Sequence, residues 1–237
     1  MGDFSVWVYL TGTPLLWLTV TLTAYACADR IAAASGRHPL ANPVLISVAF
    51  VATVLALTDT PYPTYFEGAQ FVHFLLGPAT VVLAMPLYER RATVRRALVP
   101  MLAALAAGSI TTLACVIALA RLLDIPQPVI VSLAPKSVTS GVAMGIAEAL
   151  GGDPTLTAIL VILTGIIGAI LVTPMMNALR VSDMRARGFA AGLAAHGIGT
   201  ARAFQVSEVA GTFAGIAMGL NAFLTAVLAP LALHLLF

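Results

Sequence analysis

Lys136 is the only lysine of this sequence, and it interrupts an otherwise uncharged apolar stretch. A cation at the centre of a bilayer costs about 3 kcal/mol on insertion scales, so such residues usually line a cavity or form an ion pair. Hydroxyl side chains follow it closely, which makes a candidate carboxylate-binding set of Lys136, Ser137, Thr139 and Ser140. Free backbone amides at the start of a half-helix would add to such an anion site. The alternatives are a structural ion pair with Glu148 or another acid, and a lysine whose side chain extends out of a wrongly placed segment to the membrane interface.

A second candidate site lies in the sequence His-Gly-Ile-Gly-Thr-Ala-Arg, and its residues are His196, Gly197, Gly199, Thr200 and Arg202. Two glycines allow a ligand or another backbone to approach closely. Thr200 offers a hydroxyl, Arg202 suits bidentate binding of a carboxylate, and a histidine exchanges a proton near neutral pH. The alternatives are a core histidine with satisfied hydrogen bonds and an arginine that extends to the membrane interface.

Both candidate sites coincide with helix-breaking residues, which are Pro135 and Gly141 around the lysine and the two glycines after His196. Proline removes a hydrogen-bond donor and glycine weakens a helix. In lipid, unpaired backbone is tolerated only where protein buries it or water reaches it. A third predicted break is at Gly77, Pro78 and Thr80, and we expect it to face Gly197–Thr200; an ordinary kinked packing helix is the alternative.

Composition identifies the elements that must hold these residues. The chain has 237 residues, of which 60% are hydrophobic and 9% charged, against about 25% charged in an ordinary soluble domain. This excludes a soluble protein and predicts an all-α, multi-pass membrane protein. A span needs about 20 apolar residues. Six uncharged runs are long enough, and two more are interrupted by Lys136 or Arg202, so we predict about eight segments: 4–28, 38–58, 68–88, 97–120, 125–147, 154–179, 188–207 and 209–237.

The basic residues between the segments predict a topology. If the fifth segment dips into the membrane and returns, nine loop arginines lie on one side and one on the other. The side with the excess should be cytoplasmic. This favours a re-entrant fifth segment, a crossing seventh segment, and cytoplasmic loops at 29–37, 89–96 and 180–187. It also makes residues 1–124 and 125–237 two repeats of inverted orientation, a pattern typical of secondary transporters.

No enzyme signature is present, since the sequence lacks H-E-x-x-H, G-x-S-x-G and Walker A patterns. The four histidines are too scattered to predict a metal site. We therefore expect no enzymatic activity, no metal and no cofactor. The net charge of +2 is spread over loops and gives no indication of nucleic-acid binding.

The sequence resembles the LrgB/CidB family of bacterial inner-membrane proteins over nearly its whole length. The motifs that carry the resemblance are Asn42-Pro43, Gly77-Pro78-Ala79, Pro86-Leu87-Tyr88, Pro135-Lys136-Ser137-Val138-Thr139, Gly151-Gly152, Thr164-Gly165-Ile166-Ile167-Gly168 and His196-Gly197-Ile198-Gly199-Thr200-Ala201. One departure is Gly141, where the family usually has proline.

The resemblance implies two possible functions. One is transport of small 2-oxo or 2-hydroxy monocarboxylates such as pyruvate, glycolate and glycerate. The other is a holin- or antiholin-like role in murein hydrolase export and cell lysis. It also implies a small LrgA/CidA-type membrane partner, and a homodimer is a common arrangement. The lysine in a broken segment and the inverted repeat favour transport by alternating access, of which an elevator-type motion is one form. A lytic pore needs neither of these two features.

Overall fold

A computed structural model of the chain describes residues 13–82, 84–89 and 91–236. Within these ranges the regular structure is entirely helical, with eleven helices and no strand. Three of the described helices are long and apolar enough to cross a membrane: Arg91–Leu122, Pro154–Ala178 and Glu208–Leu235. The prediction of an all-helical membrane protein is confirmed, whereas the number of eight segments and the inverted repeat stay predictions. The chain divides into two compact units, Met1–Val82 and Leu83–Phe237.

The first unit contains four described helices: α1 (Pro14–Ala34), α2 (Pro43–Leu57), α3 (Tyr62–Phe74) and α4 (Leu76–Val82). Asn42 caps α2, since its side-chain oxygen accepts from the Val44 and Leu45 amides at 2.9 and 3.2 Å. Helices α1 and α3 meet where the Trp17 ring lies edge-on to Tyr65, with 6.0 Å between ring centroids. The predicted Gly77–Thr80 break differs from the structure, because these residues lie inside α4 and the chain turns at Leu75.

The second unit contains seven described helices: α5 (Ala84–Glu89), α6 (Arg91–Leu122), α7 (Gln127–Leu133), α8 (Ser140–Ala149), α9 (Pro154–Ala178), α10 (Met184–Val206) and α11 (Glu208–Leu236). Helices α6, α9 and α11 are its three long apolar helices. Helices α6 and α11 run in the same direction, since Met101 packs with Phe213 near their starts and Ile117 packs with Leu233 near their ends. We call these three helices the frame.

The chain from α7 to α8 doubles back, and we call it the first hairpin. A turn over residues 134–139 separates the two helices. At the far end of α8, Leu150 packs in the cluster that contains Ile130 of α7, and the Asp153 amide donates to the Ser132 hydroxyl at 2.8 Å. The chain after α8 therefore returns beside α7, while re-entry of the fifth segment into a membrane stays a prediction.

Helix α10 also doubles back, and its two arms, 184–194 and 197–206, form the second hairpin. Ala195 and His196 have non-helical backbone angles, and His196 has φ 41° and ψ −132°. Beyond them Gly199 lies so close to the Ala191 carbonyl oxygen that a Cβ atom would approach it to 2.5 Å. The sequence predicts a broken segment that crosses once, whereas the structure shows a reversal.

The two hairpins approach each other from opposite ends of the frame. The first connects the end of α6 to the start of α9, and the second connects the end of α9 to the start of α11. Their tips meet at Val161 of α9, where Val138 of the first tip packs on its side chain and the His196 ring bonds to its carbonyl oxygen.

Small residues allow the second hairpin to lie close to α11. A Cβ atom on Gly188 would overlap the carbonyl oxygen of Ala210, and one on Gly192 would overlap that of Ala214. The spacing of four residues on both helices is the small-xxx-small pattern of closely packed membrane helices. This packing fixes the first arm of the second hairpin against the frame.

Candidate functional site

Lys136 lies in the tip of the first hairpin. Its amide donates to the Leu133 carbonyl at 3.1 Å, which holds the tight turn, and its side chain is partly buried. Among the residues that the structure describes, the ammonium forms no ion pair, so the alternative of a salt bridge to Glu148 does not appear there. Val138, two residues after the lysine, packs on Val161, and the His196 ring bonds to the carbonyl oxygen of the same residue. Val161 therefore joins the two hairpin tips that carry the predicted sites.

The start of α8 lies directly beyond the lysine. Thr139 is its N-cap residue, but no side chain caps the helix, and the first backbone bond runs from the Ala143 amide to the Thr139 carbonyl at 2.9 Å. The amides at 140–142 precede that bond, and the helix dipole places partial positive charge there. Gly141 is the second residue of α8 and does not break it, because a helix start accommodates glycine and the break ends at Thr139. Pro135 lies in the turn.

His196 forms the tip of the second hairpin and is almost fully buried. Its Nε2 lies 3.0 Å from the carbonyl oxygen of Val161, and a carbonyl only accepts, so Nε2 carries the proton. The ring fits because residue 165 is glycine: a Cβ atom there would lie 2.7 Å from the ring and 2.8 Å from Ile198. A Cβ atom on Gly168 would lie 2.5 Å from Ala195. The Thr-Gly-Ile-Ile-Gly motif of α9 is therefore the surface on which the second hairpin packs.

Three other residues of the second motif have structural contacts. The Thr200 hydroxyl donates to the carbonyl of His196 at the tip, four residues earlier, at 2.8 Å, and is fully buried. Gly199 allows the two arms to touch, and Gly197 faces the Met218 sulfur, which would lie 3.9 Å from a Cβ atom. The hydroxyl hydrogen of Thr200 is thus already bonded within the second hairpin.

Arg202 is not grouped with Lys136. It lines a cleft between the arms of the second hairpin together with Arg187, away from the tip and near the start of α10. Arg187 in turn donates to the Asn177 side chain at 2.8 Å. The structure therefore separates the predicted site into a lysine region at the tips and an arginine pair at the hairpin base.

Asn221 of α11, which the sequence analysis did not select, joins the two hairpins. Its Nδ2 donates to the carbonyl oxygens of Ser137 at 3.2 Å and of Leu193 at 3.1 Å, one in each hairpin. Its Oδ1 accepts from the hydroxyls of Ser109 at 2.7 Å and Thr225 at 3.3 Å. The sequence feature that could have indicated this residue is an amide side chain inside a long apolar run, since buried polar residues in membrane helices are costly and frequently functional.

No group of three or more histidine, cysteine, aspartate or glutamate side chains within the described ranges is arranged to hold a metal ion. The polar groups at the hairpin tips are instead one ammonium, hydroxyls, backbone amides and an imidazole. Such a set suits a small anion with further polar atoms, because it offers one positive charge and several donors.

Comparison with known proteins identifies relatives along almost the whole chain. The model of the LrgB-like family matches residues 21–235. The uncharacterized protein YwbG of Bacillus subtilis is 35% identical over 80% of this chain and 84% of its own length. The holin-like protein CidB of Staphylococcus epidermidis is 29% identical over 97% of this chain and 99% of its own. CidB of Staphylococcus aureus is 30% identical over 94% and 97%. No solved structure matches the chain.

Proposed function

This chain belongs to the LrgB-like family, and on that premise we propose that it is a multi-pass secondary transporter of small 2-oxo or 2-hydroxy monocarboxylates in the bacterial inner membrane. The observation that supports the proposal is the meeting of two opposed hairpins at Val161, where Val138, two residues after Lys136, packs on one side and the His196 ring bonds to the carbonyl oxygen. Secondary transporters bind substrate where broken helices meet near the membrane midplane. Pyruvate, glycolate and glycerate are the substrates that we expect.

In this proposal the substrate carboxylate binds the Lys136 ammonium and the amides that begin α8. Thr139 and Ser140 are partly exposed and lie at that helix start, so their hydroxyls are placed to bind the oxygen on the second carbon. The site needs a cation in a low-dielectric setting, where a charge-assisted bond is stronger than in water. A bound anionic substrate also offsets the free-energy cost of holding an unpaired ammonium inside the membrane.

The hairpins provide the two barriers that alternating access requires. Because each hairpin approaches from a different end of the frame, opening one admits substrate from one side while the other stays closed. His196 contributes a ring whose second nitrogen is available for a proton, so proton coupling at this residue belongs to the proposal. A small LrgA/CidA-type partner and a homodimer are proposed parts of the working assembly.

A second candidate function is a holin- or antiholin-like role in murein hydrolase export and cell lysis. The names of the Staphylococcus relatives favour it, since they are called holin-like. A lytic pore acts by assembling helices into a lesion and has no need of opposed hairpins with a lysine between them. The geometry therefore favours transport, while the names of the relatives favour the lytic role.

Uptake by reconstituted protein tests the proposal. We expect proteoliposomes, prepared with and without the LrgA-type partner, to accumulate labelled pyruvate or glycolate in a saturable way under a proton gradient. A charge-assisted bond contributes about 1.5–3 kcal/mol, so Lys136→Ala should lower uptake by about 10- to 100-fold. Arg30→Ala, which removes an exposed cation of α1, is the matched control and should keep wild-type uptake.

Two results would contradict transport through this site. Wild-type uptake by Lys136→Ala would exclude the lysine as the carboxylate ligand. An absence of uptake of any acid, together with dye leakage that rises with protein dose, would favour the holin-like function.

A further inference from the structure

A small polar cavity lies in the second unit between α6, the tip of the first hairpin and α11. Its free volume is ≈ 10 Å³, which is close to the space of a single water molecule. Five of its lining residues have side-chain oxygens, and aliphatic side chains complete the wall: the five are Ser109, Thr112, Ser137, Asn221 and Thr225. Lys136 is not among the lining residues, so this cavity is distinct from the proposed carboxylate site.

The hydrogen bonds around Asn221 leave mainly oxygen lone pairs to face an occupant. Both hydrogens of its Nδ2 are donated to backbone carbonyls, and its Oδ1 already accepts from Ser109 and Thr225. Each of those hydroxyls has used its only hydrogen on the amide and keeps free lone pairs. The hydroxyl oxygens of the cavity can therefore accept from a hydrogen-bond donor or bind a cation.

Ser137 gives an independent observation. Its side chain is 5% exposed, and its hydroxyl is buried without a hydrogen-bond partner. Buried hydroxyls in native structures nearly always have a partner, and an unmatched one needs an explanation. An occupant of the cavity beside Ser137 would supply that partner.

From these contacts we propose that the cavity is a binding site for Na⁺. The oxygens are all neutral, whereas Ca²⁺ and Mg²⁺ sites normally include carboxylates, so a monovalent ion fits better. The few oxygens with free lone pairs favour Na⁺ over K⁺, because the larger ion takes more ligands. The Na⁺ ligands would be the hydroxyl oxygens of Ser109, Thr112, Ser137 and Thr225, because the Asn221 Oδ1 already accepts two hydrogen bonds.

The binding of Na⁺ stands on the cavity alone, while a role in coupling rests on the proposed transport. Ser137, a cavity residue, directly follows Lys136. A carboxylate on the lysine would remove the positive charge next to the cavity and strengthen cation binding, and by reciprocity Na⁺ would strengthen substrate binding.

Thermal unfolding of the full-length protein in detergent, without substrate, tests the site. We expect 150 mM NaCl to raise Tm by about 5 °C over choline chloride at the same ionic strength, since a ligand that binds only the folded state stabilises it. Ser137→Ala removes an oxygen that no other group bonds, so it should keep the wild-type Tm in choline and lose most of the Na⁺ shift. Thr225→Val should lose the shift too. Ser47→Ala, at a buried serine of α2 in the other unit, is the matched control and should keep it.

Three results would overturn the Na⁺ site: no difference between NaCl and choline chloride, an equal shift with KCl, or an undiminished shift in both Ser137→Ala and Thr225→Val. The first and third leave a water as the occupant of the cavity. These measurements use no carboxylate, so a failure here is distinguishable from a failure of the uptake assay.

Discussion

The imidazole ring of His196 occupies the space that a side chain on Gly165 would need. The glycine lies on α9, one turn beyond Val161, whose carbonyl accepts the bond from Nε2 of the ring. The missing side chain and the hydrogen bond thus act together, since one makes room for the ring and the other fixes its direction. This contact holds the tip of the second hairpin against the frame.

We expect Gly165→Ala to displace the histidine ring and destabilise the protein. The added methyl would approach both the ring and Ile198 more closely than carbon atoms tolerate, and overpacking of this kind costs about 1–3 kcal/mol. Thermal unfolding should show a lower Tm. Gly219→Ala in α11 is the control, because its Cβ would enter open space, and it should leave Tm unchanged or slightly raised. An equal effect of both substitutions would contradict the packing.

At position 196, glycine should stabilise the folded protein more than alanine does, which reverses their usual order in a helix. Alanine is ordinarily the better helix residue by about 1 kcal/mol. The φ of 41° with ψ of −132° is strained for any side chain and open to glycine. Both substitutions lose the bond to Val161, so their difference isolates the backbone. We predict that His196→Gly unfolds at a higher temperature than His196→Ala; the opposite order would show a helical backbone at this position.

The features that sequence could predict are those carried by single residues. A lone lysine after a proline marks a break in an apolar run, and Asn42-Pro43 and Asp153-Pro154 mark helix starts because a capping side chain precedes a proline. The count of loop arginines favours a re-entrant fifth segment, and this bias does not depend on packing.

The reversal of α10 was not predictable from single residues. Its glycines indicate a break, but a kinked helix that continues in one direction and a hairpin that doubles back can have the same local sequence. The choice depends on Gly188 and Gly192 meeting backbone atoms of α11 and on Gly199 meeting the Ala191 carbonyl oxygen across the reversal. Asn221 was missed for a related reason, because its partners are 28 and 84 residues away along the chain.

The Asn221 amide should be the most sensitive polar group of the second unit. Asn221→Leu would leave four buried partners without their bonds, and each unsatisfied group costs about 1–3 kcal/mol. Thr225→Val removes only one of the four bonds. We therefore expect Asn221→Leu to lower Tm several times more than Thr225→Val when both are measured in choline. Equal shifts would mean that the amide does not join the hairpins.

Acid should weaken the start of α10. Hydrogen bonds from Arg185 lower the pKa of Asp183, whose carboxylate also caps the helix by accepting from the Arg185 amide at 2.8 Å. A lowered pKa stabilises the folded state above the ordinary aspartate value of about 3.9, and that stability is lost as pH falls through the folded pKa. Asp183→Asn keeps a capping oxygen but no charge.

We expect the Asp183→Asn variant to have a lower Tm than the wild type at neutral pH, and the difference to shrink as pH falls below about 4. Asp153→Asn is the comparison, since Asp153 caps α9 through two amides with no arginine bond among the described contacts. A pH-independent difference for Asp183→Asn would show that the ion pair between Asp183 and Arg185 contributes nothing to folding.

Labelling of single cysteines decides whether α10 returns to the side from which it starts. In a background with Cys27 and Cys115 replaced, a cysteine at Ser182 and one at Ser207 flank the two arms of the second hairpin, and one at Glu148 lies at the end of α8. Because α10 reverses at His196, we predict that an impermeant maleimide modifies positions 182 and 207 from the same side of the membrane. Position 148 should react from the opposite side, since the first hairpin approaches the frame from the other end. Modification of 182 and 207 from opposite sides would restore a seventh segment that crosses, and with it the inverted repeat in the form that the loop charges alone predict.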